Sequence, residues 1–366
     1  MKKRGADNGS GKRLLKKPIT KMHGPRAGVA PYSDRCDATR GRRFPGNRGI
    51  ALVTVLLIVA LLVGVVVEFN RIAIADIQVS NNFADEKKIL YITVSGIQAV
   101  QELLRLDGQY TPSDNLLEDW TQGGPYFQSA SALLDEGSVS GHITDEDGKI
   151  NVNTLINGNG KIDPRQLGLW RRLLEQPRFH LNEQEALTII YSIKDWLDSD
   201  DEVSEIYGAE DATYGPLGYG CKNGRLETLE ELLFVNGITE EIFYGKKDRE
   251  GLSTCLTVYG GAKININTAP RPVLMALSPL MNPSIAQEFD AYRTEPTNRR
   301  DLQSPVWYKR LWPYDDPISE DLLTTRSTYF TIRVLGELRE SRKHVRAVVQ
   351  RTAESVNLVY WQETMQ

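Results

Sequence analysis

The sequence predicts an α+β protein: one long N-terminal helix, half of it suited to a bilayer, packed on an antiparallel sheet that is interrupted by a large inserted α-helical domain. Three observations carry this reading. An apolar run near residue 50 opens a continuous helical periodicity, the C-terminal segments alternate in strand fashion, and one seven-residue segment occurs twice, around a helical stretch.

The 366 residues suffice for one membrane segment and two sizeable head domains. Charge is divided unevenly: residues 1–49 hold fourteen Lys or Arg against three acidic residues, leaving thirty basic and forty-five acidic residues in the rest. A basic arm alone could mark nucleic-acid binding. Here it runs directly into Ile50–Val67, eighteen residues without a charge, enough to cross most of a bilayer core. The positive-inside rule puts the arm in the cytoplasm and the acidic body on the other side.

An ordinary secretory signal has its small-residue cleavage site after the apolar core. In this chain Arg48-Gly49 precedes the core and no Ala-x-Ala follows it. The pattern is that of a type IV prepilin-like signal, cut after Gly49, so that the mature chain starts at Ile50 and keeps its apolar helix. An uncleaved single-pass anchor is the alternative, and Met22 is a second candidate start within the long leader. The fifth mature residue is Thr54. Most pilins and pseudopilins carry Glu there, compensating the buried amine of the adjacent subunit. A neutral hydroxyl cannot do so, and an uncompensated buried charge is costly. Thr54 therefore points to a subunit at the tip, with no neighbour above it.

Beyond the bilayer, Ile72, Ile77, Phe83, Leu90, Val94, Ile97, Val100 and Leu104 keep the spacing of an amphipathic helix, which should end near Leu106. Gly148-Lys-Ile-Asn-Val-Asn-Thr154 returns as Ala262-Lys-Ile-Asn-Ile-Asn-Thr268, each copy read as a short strand with its asparagines on the face opposite the aliphatic residues. Each leads to a Pro near a helix start, Asp163-Pro164 and Thr268-Ala-Pro270. Between the copies, Asn182 with Glu185 and Thr228 with Glu231 read as capping boxes, and Leu233–Thr239 as a tight helical hairpin turning at Gly237. Thr294 to Asp316, rich in Pro, Arg and Trp, reads as a surface loop. The segments 329–337, 345–351 and 356–361 read as consecutive antiparallel strands against the N-terminal helix. The implied organisation is a leader over 1–49, a membrane half-helix over 50–67, helix and first sheet part over 68–154, an insertion over 155–260 and the second sheet part over 261–366.

One acidic group stands out: Asp195, Asp198, Asp200, Glu202, Glu210 and Asp211 at and beyond a helix end. Carboxylates there repel one another and the helix dipole, and hard oxygens in a flexible loop suit calcium. A solvated acidic loop is the alternative. The spacing is not that of an EF-hand. Paired carboxylates also serve acid–base chemistry, but no Gly-x-Ser-x-Gly, Walker loop or dinucleotide fingerprint accompanies them. His23, His142, His180 and His344 are scattered, and no enzyme is expected. The helical hairpin resembles DNA-binding hairpins, yet Glu227, Glu230, Glu231, Glu240 and Glu241 flank it, the wrong sign for phosphate. Cys221 and Cys255 are the only head cysteines and form a candidate disulfide, the alternative being two isolated thiols.

In their order, Arg-Gly before an Ala-Leu-Val helix, a fifth residue other than Glu, Ile-Asn-Val-Asn-Thr, Asp-Trp-Leu-Asp-x-Asp, Gly-Ala-Glu-Asp and Asn-Thr-Ala-Pro resemble the type II secretion minor pseudopilin K family, also called general secretion pathway protein K. The resemblance implies a pseudopilin fold with an inserted helical domain, calcium in the head, and cleavage and N-methylation by the prepilin peptidase. It also implies an inner-membrane anchor with a periplasmic head, in a tip complex with minor pseudopilins I and J. Pseudopilin H, the major pseudopilin G and secreted substrates are further expected contacts, and nucleic acid is not. The long leader departs from the family's short one. A DNA-uptake or type IV pilus component and an anchored calcium-dependent hydrolase are the rival readings.

Overall fold

The computed structural model describes residues 48–315 and 318–365. The basic leader up to Asn47, with Met22 and a third cysteine, Cys36, lies outside them. The chain separates into two compact units, one ending at Asn70 and one starting at Arg71. Helix α1 (Arg48–Tyr110) starts in the first and continues in the second, close to the expected span.

In the first unit every described side chain from Ile50 to Asn70 is exposed. Such a column of Leu, Ile and Val cannot stay in water, and the helix is long and apolar enough to cross a membrane.

In the second unit the chain passes from α1 through α2 (Gly123–Ser131) to β1 (Ser138–Asp145) and then leaves the sheet. The excursion comprises β2 (Ile150–Asn151), α3 (Pro164–Leu174), α4 (Glu183–Leu197), α5 (Asp211–Tyr214), a 3-10 segment over Leu229–Phe234 and α6 (Glu240–Tyr244). It continues through a short hairpin of β3 (Gly245–Lys246) and β4 (Arg249–Glu250), then β5 (Leu256–Thr257), β6 (Ile264–Asn265), α7 (Arg271–Ala276), α8 (Pro283–Thr294) and β7 (Leu323–Thr324). The chain returns as β8 (Tyr329–Leu338), β9 (Ser341–Arg351) and β10 (Val356–Met365).

The main sheet has the order β1-β8-β9-β10 and is antiparallel throughout. Strand alternation sends Phe330, Ile332, Val334, Val345, Ala347 and Val349 to one face, where Ile92, Ile97, Val100 and Leu104 of α1 meet them in one core. Each such aliphatic burial contributes roughly 1.5–3 kcal/mol. The approach is close enough that a Cβ on Gly96 would stand 2.9 Å from Val139 Cγ2, and one on Gly336 2.7 Å from Thr93 Cγ2. Glycine at both places lets helix and sheet touch.

A second core runs through the excursion from Ile150 to Leu323. The inserted body therefore extends past residue 260, taking in Val273 of α7 and Phe289 of α8. The stretch from Thr294 is not the expected surface loop. Trp307 and Tyr308 are 3% and 0% exposed, with Trp307 5.2 Å from the Phe289 ring and stacked on Tyr292 at 5.3 Å. Aromatic burial outweighs the loop-like composition there, and single turns of 3-10 helix satisfy the backbone.

The repeat survives as structure, in a form different from the expected strand. Only two residues of each copy pair, β2 in parallel with β5 and β6 in parallel with β7, before the chain turns. The side chains of Asn151 and Asn265 accept from the N–H two residues on, both at 3.0 Å. The second asparagines are buried brackets. Asn153 donates to Leu226 O and Val258 O while accepting from Leu226 N; Asn267 donates to Asp114 O and Leu302 O while accepting from Trp307 Nε1. A strand this short leaves backbone groups of neighbouring segments unpaired, and a carboxamide can serve a donor and an acceptor together.

Local signals elsewhere hold. Asn182 and Glu185 form the capping box of α4, Thr228 and Glu231 that of the 3-10 segment, and Asp163 caps α3 with Pro164 in its first turn. Gly237 takes φ 87°, and Thr239 Oγ1 accepts from Ile242 N at 3.3 Å. The hairpin is therefore present, with arms shorter than the capping pattern implied.

Candidate functional site

Ala186, Ile189, Ile190, Ile193, Trp196 and Leu197 bury one side of α4, and that packing carries Asp195 into the interior, fully buried. Asp198 is the helix C-cap and is 3% exposed. The chain then loops out and returns through Gly208 and Ala209, which places Glu210, the N-cap of α5, beside both. One carboxylate oxygen from each of Asp195, Asp198 and Glu210 lies within 4.8 Å of the others.

The bonding of this trio is incomplete. Asp195 Oδ2 accepts from Ser204 N at 3.1 Å, and Lys194 Nζ pairs with Asp198 Oδ2. Asp195 Oδ1, Asp198 Oδ1 and both Glu210 oxygens are buried without a hydrogen bond. Lys194 Nζ is 3.6 Å from Asp195 Oδ1 and is the only cation paired with the trio among the described residues, so it balances one of three negative charges. Burial pushes the Glu210 carboxyl up to about 7, with Asp195 and Asp198 adding repulsion. Asp198 is raised too, chiefly by burial, against the pull of Lys194. Converging hard oxygens with free lone pairs and surplus negative charge are what a divalent cation takes up. The donor set fits calcium.

The other three expected ligands stand outside the trio. Asp200 is exposed and accepts from Glu202 N at 3.0 Å, turning the loop. Glu202 is exposed beside it, both lining an open cleft of about 360 Å³ with Lys161, Tyr191 and Lys194. Asp211 is exposed at the start of α5 and accepts from Cys221 N at 2.7 Å.

The expected disulfide is not formed: Cys221 and Cys255 are both free thiols. Their surroundings explain it. Cys221 Sγ faces the carbonyl of Asp195 at 3.4 Å, so this cysteine closes the back of the acidic site. Cys255 is fully buried in the core of the insertion, its thiol 3.6 Å from Thr254 Oγ1. Burial pushes the Cys221 thiol up to about 12 and raises that of Cys255.

A second acidic trio went unread in the sequence. Oxygens of Asp107, Asp114 and Glu118 also lie within 4.8 Å of one another, but here the protein supplies the cation. Arg351 donates to Asp107 Oδ2 at 2.9 Å and to Asp114 Oδ1. Glu118 accepts from Trp120 Nε1 at 2.8 Å. The partners are far apart in sequence, and no periodicity announces them.

At the other end of the chain, Gly49 and Ile50 are exposed at the start of α1, and Thr54 Oγ1 donates to Ile50 O at 2.9 Å. The hairpin glutamates face the protein's own cations: Glu230 pairs with Arg346, Glu231 with Lys222, and Glu241 with Lys246 and Arg249.

This architecture has known counterparts. A family profile described as type II secretion system (T2SS), protein K matches residues 148–245, the span from the first repeat through α6 and including the acidic trio. Proteins named type II secretion system protein K are similar along most of the chain. The one from Aeromonas hydrophila is 25% identical over 324 residues, covering 83% of this chain and 92% of its own length. That from Pectobacterium carotovorum subsp. carotovorum is 26% identical over 331 residues, 86% and 95% respectively. Over the span of the profile, and along most of its length, the chain is similar to the type II secretion system protein K family. Those relatives are, by name, components of the type II secretion system. The fold agrees with a crystal structure of the GspK-GspI-GspJ complex from the enterotoxigenic Escherichia coli type 2 secretion system. That match has a TM-score of 0.58 at 18% identity, covering 78% of this chain and 99% of the other.

Proposed function

We propose that this protein K homologue sits at the tip of a secretion pseudopilus, held by α1 in the inner membrane with its head in the periplasm, and that it initiates or caps the assembly used to export folded proteins. The carrying observation is Thr54 on an exposed apolar helix: its hydroxyl is bonded to its own helix at Ile50 O, 2.9 Å away, and it has no charge to offer a following subunit. The Escherichia coli structural relative was crystallised with GspI and GspJ, and we extend minor pseudopilins I and J to this chain as partners. Pseudopilin H, the major pseudopilin G, the prepilin peptidase and secreted substrates complete the proposed set.

Calcium is the second part of the proposal. Asp195, Asp198 and Glu210 would hold it, with Asp200, Glu202 and Asp211 contributing negative charge at the rim. Its place is structural: it would tie the end of α4 to the start of α5 and fix the loop between them. The rival DNA-binding reading finds no support in a hairpin whose glutamates surround it.

Mass spectrometry of the membrane-extracted protein tests the first part. We expect an N-methylated Ile50 at the mature N-terminus, and pseudopilins I and J recovered with it. A chain that retains Gly49, or one that has lost the apolar helix, overturns the assignment.

A further inference from the structure

The sheet has a second face, away from α1. Part of it is covered by the insertion, where Thr331 and Val348 are fully buried and Tyr329 stacks on Tyr259 at 5.9 Å. Farther along, the cover ends and a cleft of about 550 Å³ opens over Ser140, His142, Arg333, Leu335, His344 and Arg346.

Strand register puts basic groups side by side on its floor. His142 of β1 is directly opposite Arg333 of β8, and Arg333 is directly opposite Arg346 of β9. Like charges in that relation repel and destabilise a sheet. Arg346 is partly answered: it pairs with Glu230 at 3.0 Å and lies over the Tyr360 ring at 5.7 Å, though its Nε is buried without a hydrogen bond. The Arg333 side chain makes no hydrogen bond or ion pair among the described residues; Glu146 and Glu230 reach it only through space. Both Arg333 and His142 are exposed at the cleft; partial desolvation, then Arg346, lowers the pKa of Arg333, and partial desolvation, then Arg333, lowers that of His142. The next row is less polar, with Leu335 between Ser140 and His344.

We propose that this cleft docks an acidic segment of a partner protein, an Asp or Glu carboxylate seated on Arg333 with a neighbouring apolar side chain over Leu335. The planar guanidinium fork matches a carboxylate, and a carboxylate relieves the Arg333–Arg346 repulsion that Glu146 and Glu230 answer only in part. The cleft is larger than a lone anion needs, and its apolar row suits a peptide. The basic spot is isolated in an acidic body, whereas a nucleic-acid backbone requires a broad positive field. The inference is independent of calcium and of tip placement.

The test uses the full chain in detergent and fluorescence anisotropy of a labelled hexapeptide of alternating Glu and Leu, with a Lys-Leu peptide as control and a short DNA duplex as competitor. We expect saturable, salt-weakened binding of the Glu-Leu peptide alone, reduced about tenfold by Arg333→Gln and further by Arg333→Glu. Arg333→Gln should melt no lower than the parent, because it removes a repulsion. Unchanged peptide affinity in Arg333→Gln, absence of saturable binding at low salt, displacement of the peptide by duplex DNA at equal charge, or a clearly lower melting temperature for Arg333→Gln would each overturn the proposal.

Discussion

Gly208 lies so close to Asp195 that a Cβ on it would stand 2.0 Å from Oδ2, and 2.7 Å from the Ser204 backbone nitrogen that donates to that oxygen. The loop after α4 thus closes over the carboxylate through a residue without a side chain. Gly208→Ala should push the loop away, costing about 1–3 kcal/mol as over-packing does. It should also blunt any response to calcium. Denaturant unfolding with and without calcium reads both effects, and a variant matching the parent in both would count against the closed site.

Adding millimolar calcium to the mature protein should raise its melting temperature, because an ion bound only by the native state stabilises it. Asp198→Asn and Glu210→Gln should both lose that rise. Glu210→Gln should melt somewhat higher than the parent in chelator, since it removes an unpaired member of a repelling set, whereas Asp198→Asn also gives up the Lys194 ion pair. With the Glu210 carboxyl pushed up to about 7, only its ionised form would serve as a ligand. Calcium affinity by titration calorimetry should therefore increase from pH 6 to pH 8, with protons released on binding. A pH-independent affinity would exclude Glu210 from the site.

The trio around Arg351 makes the opposite demand. Burial foremost, and then Asp107, raise the Glu118 carboxyl from its ordinary 4.5 to about 8, so the folded state holds a proton there that the unfolded state releases. Its contribution to stability is fully present below about pH 4.5 and is lost as pH rises through about 8. Glu118→Gln should flatten the stability profile over that window. Equal slopes for the two proteins would mean that the carboxylate is ionised in the fold.

Asn267 joins Trp307 to two backbone carbonyls from distant segments. Asn267→Ala leaves Trp307 Nε1 and Leu302 O buried without this partner, while Asp114 O keeps its bond from Asn265 Nδ2, and should cost roughly 2–4 kcal/mol. Asn157→Ala, in an exposed turn, should change stability by about 0.5 kcal/mol or less. Denaturation midpoints for the two variants provide the comparison.

Alkylation of the mature protein, denatured without reductant, should modify both Cys221 and Cys255, and dithiothreitol should leave its melting unchanged. Protection of the pair from alkylation would show that they are bonded.

What could be read from the sequence follows from how local each feature is. The apolar run from Ile50, the Ile97–Val100–Leu104 stripe, the alternation in β8 and the Asn182–Glu185 cap are all decided within a turn or a strand, and all appear. Asp195, Asp198 and Glu210 converge because one ends a helix and another starts the next. Asp200, Glu202 and Asp211 share their composition but stand at positions the fold leaves in solvent. Burial of Asn153 and Asn267, packing of Trp307 under Phe289, and insertion of Arg351 between Asp107 and Asp114 depend on segments far apart in the chain. Periodicity holds no trace of such meetings. The two cysteines show the same limit: parity suggested a pair, and three-dimensional placement decided otherwise.

The pairing of β1 with β8, Ser138 against Glu337 and Asp145 against Phe330, has a consequence for synthesis. Close to two hundred residues must be made and threaded between these neighbours, so the first strand waits, an open edge, until the last stretch of polypeptide has emerged. Maturation is therefore late and tied to the C-terminus, and a nascent chain truncated before Tyr329 would present a bare hydrophobic stripe on its long helix to any chaperone or protease nearby.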